Sequence, residues 1–203
     1  MSGKRSQKWK TFENNAAKEI SSWLFGDPKI LRRSPCSGGW LRRGSEGDII
    51  VAEDQDKYGP DYFCAVEAKC RLTRSGSKKK DGSKDEWHFE QLLTSPKHPI
   101  LEWWYQLCSS EPVVRDKKLR LLAFSKTSGT TKAFLAIGRR EYDFIETSGV
   151  SLRALPKMVF EVGRCEDPSI DTEVLHFFCF REFLGYVDAD KVKKLWRNQD
   201  ATG

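Results

Sequence analysis

Residues 62–70 read Tyr-Phe-Cys-Ala-Val-Glu-Ala-Lys-Cys, an apolar run that ends in two opposite charges. Along a strand, successive side chains point to opposite faces. Cys64, Val66, Ala68 and Cys70 therefore share one face, small and apolar, which suits a core. Phe63, Ala65, Glu67 and Lys69 share the other, so a carboxylate and an ammonium leave an otherwise hydrophobic strand side by side. Charges in that setting need a neutralising partner or a task. The plainer reading is a salt bridge between strands. Just upstream, Gly47 leads into the β-branched run 48–52, and the polar stretch 53–60 reads as a turn. The two runs are expected to pair as a hairpin, which brings Asp48 towards Glu67 and Lys69.

The remaining pattern predicts a mixed α/β domain. A helix is expected over 11–24, with Thr11 as its N-cap and Gly26-Asp27-Pro28 as its stop. A short strand follows at 30–34 and a loop at 35–39. Helices are expected over 86–93 and 99–108, the second with Pro99 in its first turn. Strand-like runs cover 119–125 and 132–137 around Ser128-Gly129, then 158–162 and 174–180, with a helix at 140–146 and a helical tail over 181–197. The fold class read from this order is α/β, a mixed central sheet flanked by helices. The organisation read is a single domain over 1–203: a core over 11–137 and a C-terminal extension, 138–203, packed on it. Within that core, 71–84 (RLTRSGSKKKDGSK) reads as a mobile basic loop. A chain of 203 residues is long enough to bury its own core. Its 12 Phe, 7 Trp and 5 Tyr argue against disorder.

Several classes fall away. No run of 18 apolar residues is present, so no membrane span is expected. The basic start MSGKRSQKWK is followed by no apolar signal core, and a cytoplasmic location in a prokaryotic or phage-infected cell is the expectation. The six Cys form no close pair and read as thiols in a reducing compartment. The three His are scattered, which disfavours zinc. Asp54-x-Asp56-x-x-Gly59 begins like a calcium loop, but Tyr58 and Ala65 stand where ligands are needed. No P-loop occurs.

Two carboxylates and a lysine on paired strands can hold a divalent metal against a phosphodiester. Oxygen ligands suit Mg²⁺, which keeps several waters, polarises phosphoryl oxygens and lowers the pKa of a bound water. Asp48 on one strand, then Glu67-x-Lys69 on the next, resembles the PD-(D/E)XK nuclease superfamily, with Gly47 in place of the family's proline. Glu13, on the first helix, matches an additional metal-binding carboxylate of many members; Glu19 is its rival. The stretch Arg32-Arg33-Ser34-Pro35-Cys36-Ser37-Gly38 resembles a strand and loop of archaeal Holliday-junction resolvases and related phage proteins. Gln106 matches a glutamine often found on the helix after the Glu-x-Lys strand, with Gln91 as its rival. The resemblance covers about residues 11–126. It implies a restriction-endonuclease-like core and a Mg²⁺-dependent endodeoxyribonuclease, with Mn²⁺ able to substitute. It implies Asp48, Glu67 and Glu13 as metal ligands, Lys69 and Gln106 acting on the water, and a homodimer cutting two strands symmetrically.

The net charge of +6, from 35 basic and 29 acidic residues, is modest by itself. Its placement is more informative. Five basic residues and no acid lie between Lys29 and Ser45, and seven basic residues with one acid between Lys69 and Lys84. A charge run is commonly a solvated face. Beside a phosphodiesterase site, Arg33, Ser37, Arg42, Arg43, Arg71, Arg74, Lys78, Lys79 and Lys80 read as a DNA-backbone surface. Contacts of that kind carry no sequence information, which favours a partner recognised by shape, such as branched DNA. Two alternatives stand beside this: a non-catalytic DNA-binding protein on the same fold, and a restriction or repair nuclease that reads sequence.

Overall fold

The structure, a computed structural model, describes residues 3–34, 48–70, 89–95, 98–109, 118–162 and 173–200. The strands are β1 (Leu31–Arg33), β2 (Ile49–Val51), β3 (Cys64–Cys70), β4 (Leu119–Ser125), β5 (Phe134–Gly138), β6 (Lys157–Val162) and β7 (Glu173–Cys179). The helices are α1 (Gly3–Phe25), α2 (Pro99–Cys108), α3 (Arg139–Thr147), α4 (Phe180–Tyr186) and α5 (Ala189–Asp200). The seven strands among the described residues form one sheet in the order β1-β2-β3-β4-β5-β7-β6. Only β3 and β4 run parallel; every other pair is antiparallel. A parallel pair needs a crossover, and α2 lies within it. The class is α/β, a mixed sheet flanked by helices.

The two faces of β3 are covered differently. Cys64, Val66 and Ala68 join a core with Phe12, Ala16, Ile20 and Leu24, the four-residue stripe of α1. The buried apolar residues of α3, α4 and α5, among them Ile145, Phe183 and Val192, belong to the same core. Ala65 points the other way, into a second core with Trp103, Trp104 and Leu107 of α2 and with Leu122 and Phe124 of β4. Glu67 and Lys69 follow Ala65 on this α2 side, whereas Phe63, expected there too, precedes the strand and joins the first core.

The expected hairpin forms: Ile49 pairs with Val66 in antiparallel register. Four expected elements are corrected. The first helix begins at Gly3, so Thr11 lies inside it and caps nothing; no Gly or Pro between 4 and 10 stops a helix from continuing upstream. The stretch 53–60 is a 3₁₀ segment, Glu53–Asp61. The helical tail is two helices, because Val187 is extended and Asp188 starts a new one. The Asp188 Oδ1 accepts hydrogen bonds from the backbone N–H of Asp190 (3.0 Å) and Lys191 (3.3 Å), as an N-cap does. Of the helix expected over 86–93, the described part is a 3₁₀ turn, Phe89–Leu93. The loops expected at 35–39 and 71–84 lie outside the described residues. No described helix is long and apolar enough to cross a membrane. Cys64, Cys70, Cys108 and Cys179 are free thiols.

At the far end of the α2 side, a buried ion network ties the sheet to its helices. Glu141 of α3, fully buried, accepts a bidentate pair from Arg120, with Nε at 2.8 Å and Nη2 at 2.9 Å. Arg140 Nη2 adds a further contact at 2.7 Å. The Arg120 guanidinium also lies over the Trp104 ring at 4.8 Å. Gly138 makes room for this arrangement: a Cβ there would fall 2.8 Å from Trp104 and 2.9 Å from Arg120.

Candidate active site

The site is built at one end of β3, where strand pairing does most of the positioning. Because Ile49 faces Val66, the preceding Asp48 falls beside Glu67. The Asp48 backbone N–H donates to Val66 O at 2.9 Å, and the Ser34 N–H donates to Asp48 O at 2.8 Å, which fixes Asp48 between β1 and β3. Its side chain turns onto β3: Oδ2 accepts the Ala68 N–H at 3.1 Å and the Lys69 ammonium at 2.8 Å. Lys69 Nζ also forms an ion pair with Glu67 Oε1, so one ammonium bridges both carboxylates. From α1, Glu13 reaches the same region and pairs with Arg33 of β1.

These acids are deeply placed: Glu13 is 3% exposed, Asp48 5% and Glu67 4%. Burial pushes the Glu67 carboxyl up, the neighbouring Asp48 and Glu13 charges add to that, and Lys69 opposes it; the outcome is a rise from 4.5 to about 7. Burial alone would lower the Lys69 pKa, but Asp48 and Glu67 outweigh it and hold Lys69 above its ordinary value. Lys69 therefore stays an ammonium at neutral pH. With all groups ionised, three carboxylates face two cations, so the cluster carries a net negative charge.

The donor chemistry suits a hard divalent cation, with three buried carboxylates of which one holds its proton weakly near neutrality. Among the described residues, no three His, Cys, Asp or Glu groups are grouped so that they could hold a metal ion together. In this arrangement Lys69 bridges Asp48 and Glu67, and Arg33 engages Glu13.

The rival acid is separated from the site. Glu19 pairs with Arg181 (2.7 Å) and accepts the Thr130 hydroxyl, which staples α1 to α4. Gln106 lies on the exposed side of α2, and the described contacts of Asp48, Glu67 and Lys69 do not include it. Gln91, in the 3₁₀ turn, is exposed as well. Ser37, Arg42, Arg43, Arg71, Arg74, Lys78, Lys79 and Lys80 lie outside the described residues. The points where their segments join the described chain are informative: 35–47 runs into Asp48, and 71–88 begins two residues after Lys69. One neighbour was not singled out from the sequence. Trp9 packs its ring against the Arg33 guanidinium at 4.8 Å. Its spacing of four from Glu13, on one helix face, was the available signal. Set against family models, curated proteins and solved structures, the chain finds no match in any of the three.

Proposed function

We propose that the protein is a divalent-metal-dependent DNA endonuclease of PD-(D/E)XK type, acting on branched DNA in the manner of a Holliday-junction resolvase. The observation that carries this reading is the Asp48–Lys69–Glu67 cluster, assembled from adjacent strands, buried, and with one carboxyl tuned to about 7. Asp48 and Glu67 would hold Mg²⁺, or Mn²⁺ in its place, with Glu13 beside them. The ion supplies positive charge for the phosphoryl oxygens and lowers the pKa of a water bound to it. Lys69 is protonated at rest, so Nζ acts as a hydrogen-bond donor and positive charge towards the phosphate or the attacking water, and not as a base. Arg33 is held against Glu13 and Trp9, from where its guanidinium can turn to a phosphate oxygen. The two basic segments leave the chain beside these residues, which supports backbone tracking around the site.

Labelled linear, single-stranded, flap and four-way-junction DNA, each with Mg²⁺, Mn²⁺ or EDTA, tests this. Cleavage is expected with either metal and none with EDTA, greatest on the junction, and lost in Asp48→Asn and Lys69→Ala. Tight binding without cleavage in either metal would replace the enzyme with a DNA-binding protein. Cutting confined to duplex of one sequence would replace shape recognition with base reading.

The basic loop has its own test. Neutralising Lys78, Lys79 and Lys80 together is expected to flatten the plot of log binding constant against log salt, by about 0.9 for each lysine that contacts a phosphate. An unchanged slope assigns the run to a solvated face.

A further inference from the structure

The two edges of the sheet differ in a way that bears on self-association. β1, at one edge, is three residues long and carries Arg32 and Arg33. Short, charged edges resist pairing with another chain. β6, at the other edge, is six residues long and reads Lys-Met-Val-Phe-Glu-Val. Among the described residues nothing pairs with its outer side. It also carries two of the four exposed large apolar side chains described, Met158 at 38% and Val159 at 52%.

The sequence of β6 is complementary to itself. Lys157, Val159 and Glu161 share one face, opposite Phe178, His176 and Val174 of β7, and Met158, Phe160 and Val162 share the other. If a second copy of β6 lies antiparallel about a two-fold axis at Val159, each Lys157, whose Nζ otherwise donates to Leu152 O at 3.3 Å and lies over the Tyr142 ring, stands opposite the other copy's Glu161. Val159 then meets Val159, and Met158 meets Phe160. Opposite charges and apolar groups directly across an antiparallel pair are both stabilising, and a two-fold axis makes each contact occur twice. No other centring within the strand aligns its one cation with its one anion.

We infer that β6 is a self-pairing edge through which two copies of this chain form a dimer with a continuous sheet. The axis stands perpendicular to the sheet, because antiparallel pairing reverses strand direction and keeps the faces. Both Glu67–Lys69 clusters then lie on the same side of the joined sheet, since each shares the α2 side of its protomer. The inference rests on the edge alone and not on the proposed chemistry.

Analytical ultracentrifugation over a concentration series reads it. The wild type is expected to dimerise reversibly. Lys157→Glu or Glu161→Lys alone places like charges opposite each other twice and is expected to weaken the dimer about tenfold. Mixing the two variants pairs each new charge with its opposite and is expected to restore association, which also shows that both variants are folded. Val159→Cys is expected to form a disulfide between copies on mild oxidation, since the residue meets itself at the axis. A wild type that stays monomeric throughout overturns the inference. So does a dimer that ignores both charge variants, or one that mixing fails to restore.

Discussion

Glu67→Gln is expected to reduce the proposed metal-dependent cleavage by about 10³-fold or more while making the metal-free protein more stable at pH 8. On the proposed reading, the loss of activity would follow from the loss of a charged oxygen ligand. The gain in stability has a separate cause. The folded protein holds the Glu67 proton up to about pH 7, whereas the group ordinarily releases it near 4.5. Between these values the folded state binds more protons than the unfolded state, so stability falls as pH rises through the window. By pH 8 the ionised carboxylate sits buried beside Asp48, at a cost on the order of 3 kcal/mol. Glutamine keeps the shape and removes the charge, and Lys69 keeps its 2.8 Å contact with Asp48. For a chain of this size the expected rise in melting temperature at pH 8 is several degrees. The difference should shrink towards pH 5, where Glu67 is itself neutral. Calorimetry in EDTA at both pH values, beside the cleavage assay, checks both halves. A variant less stable than wild type at pH 8 would mean that Lys69 fully compensates Glu67, as in an ordinary salt bridge between strands.

Glu141→Ala is expected to have the opposite effect on the fold. Glu141 is fully buried between Arg120 and Arg140. Burial alone would raise its pKa, but the Arg120 hydrogen bonds and charge, with Arg140, hold it below the ordinary value. Its contribution is therefore present above the unfolded pKa and lost as pH falls through the lower, folded one. Among the described residues, removing the carboxylate leaves Arg120 the Cys108 thiol at 3.0 Å, a distant Glu173 oxygen at 3.7 Å and the Trp104 ring. Truncating one partner of a buried pair costs about 3–5 kcal/mol, which is on the order of 10 °C in melting temperature. Thermal unfolding followed by circular dichroism at pH 7 measures it. A change of a degree or less would show that Arg140 and solvent satisfy Arg120 once Glu141 is gone.

The two charged clusters were not equally legible. Asp48, Glu67 and Lys69 lie within 22 residues of one another on two runs with strand character, and local alternation was enough to put them together. Arg120, Glu141 and Trp104 come from β4, α3 and α2, and no local period links them. Glu13 could be told from Glu19 only by structure, because both sit on α1 and the choice depends on which strand each faces. The helix of Gln106 forms where expected, and its rotation, set by packing and by no local pattern, leaves that side chain exposed.

What the sequence by itself determined was local. The two-residue alternation of 64–70 settled which side chains leave β3 together, and the short polar stretch at 53–60 made an antiparallel partner of 48–52. Those are consequences of backbone geometry over a few residues. Tertiary structure alone decided how deeply the acids lie and what faces them. Glu67 is shifted by desolvation and by the fields of Asp48 and Glu13, and Lys69 keeps its proton because two carboxylates meet at its nitrogen. Both effects depend on distances and burial set by packing between distant segments, and those are not encoded in any local spacing.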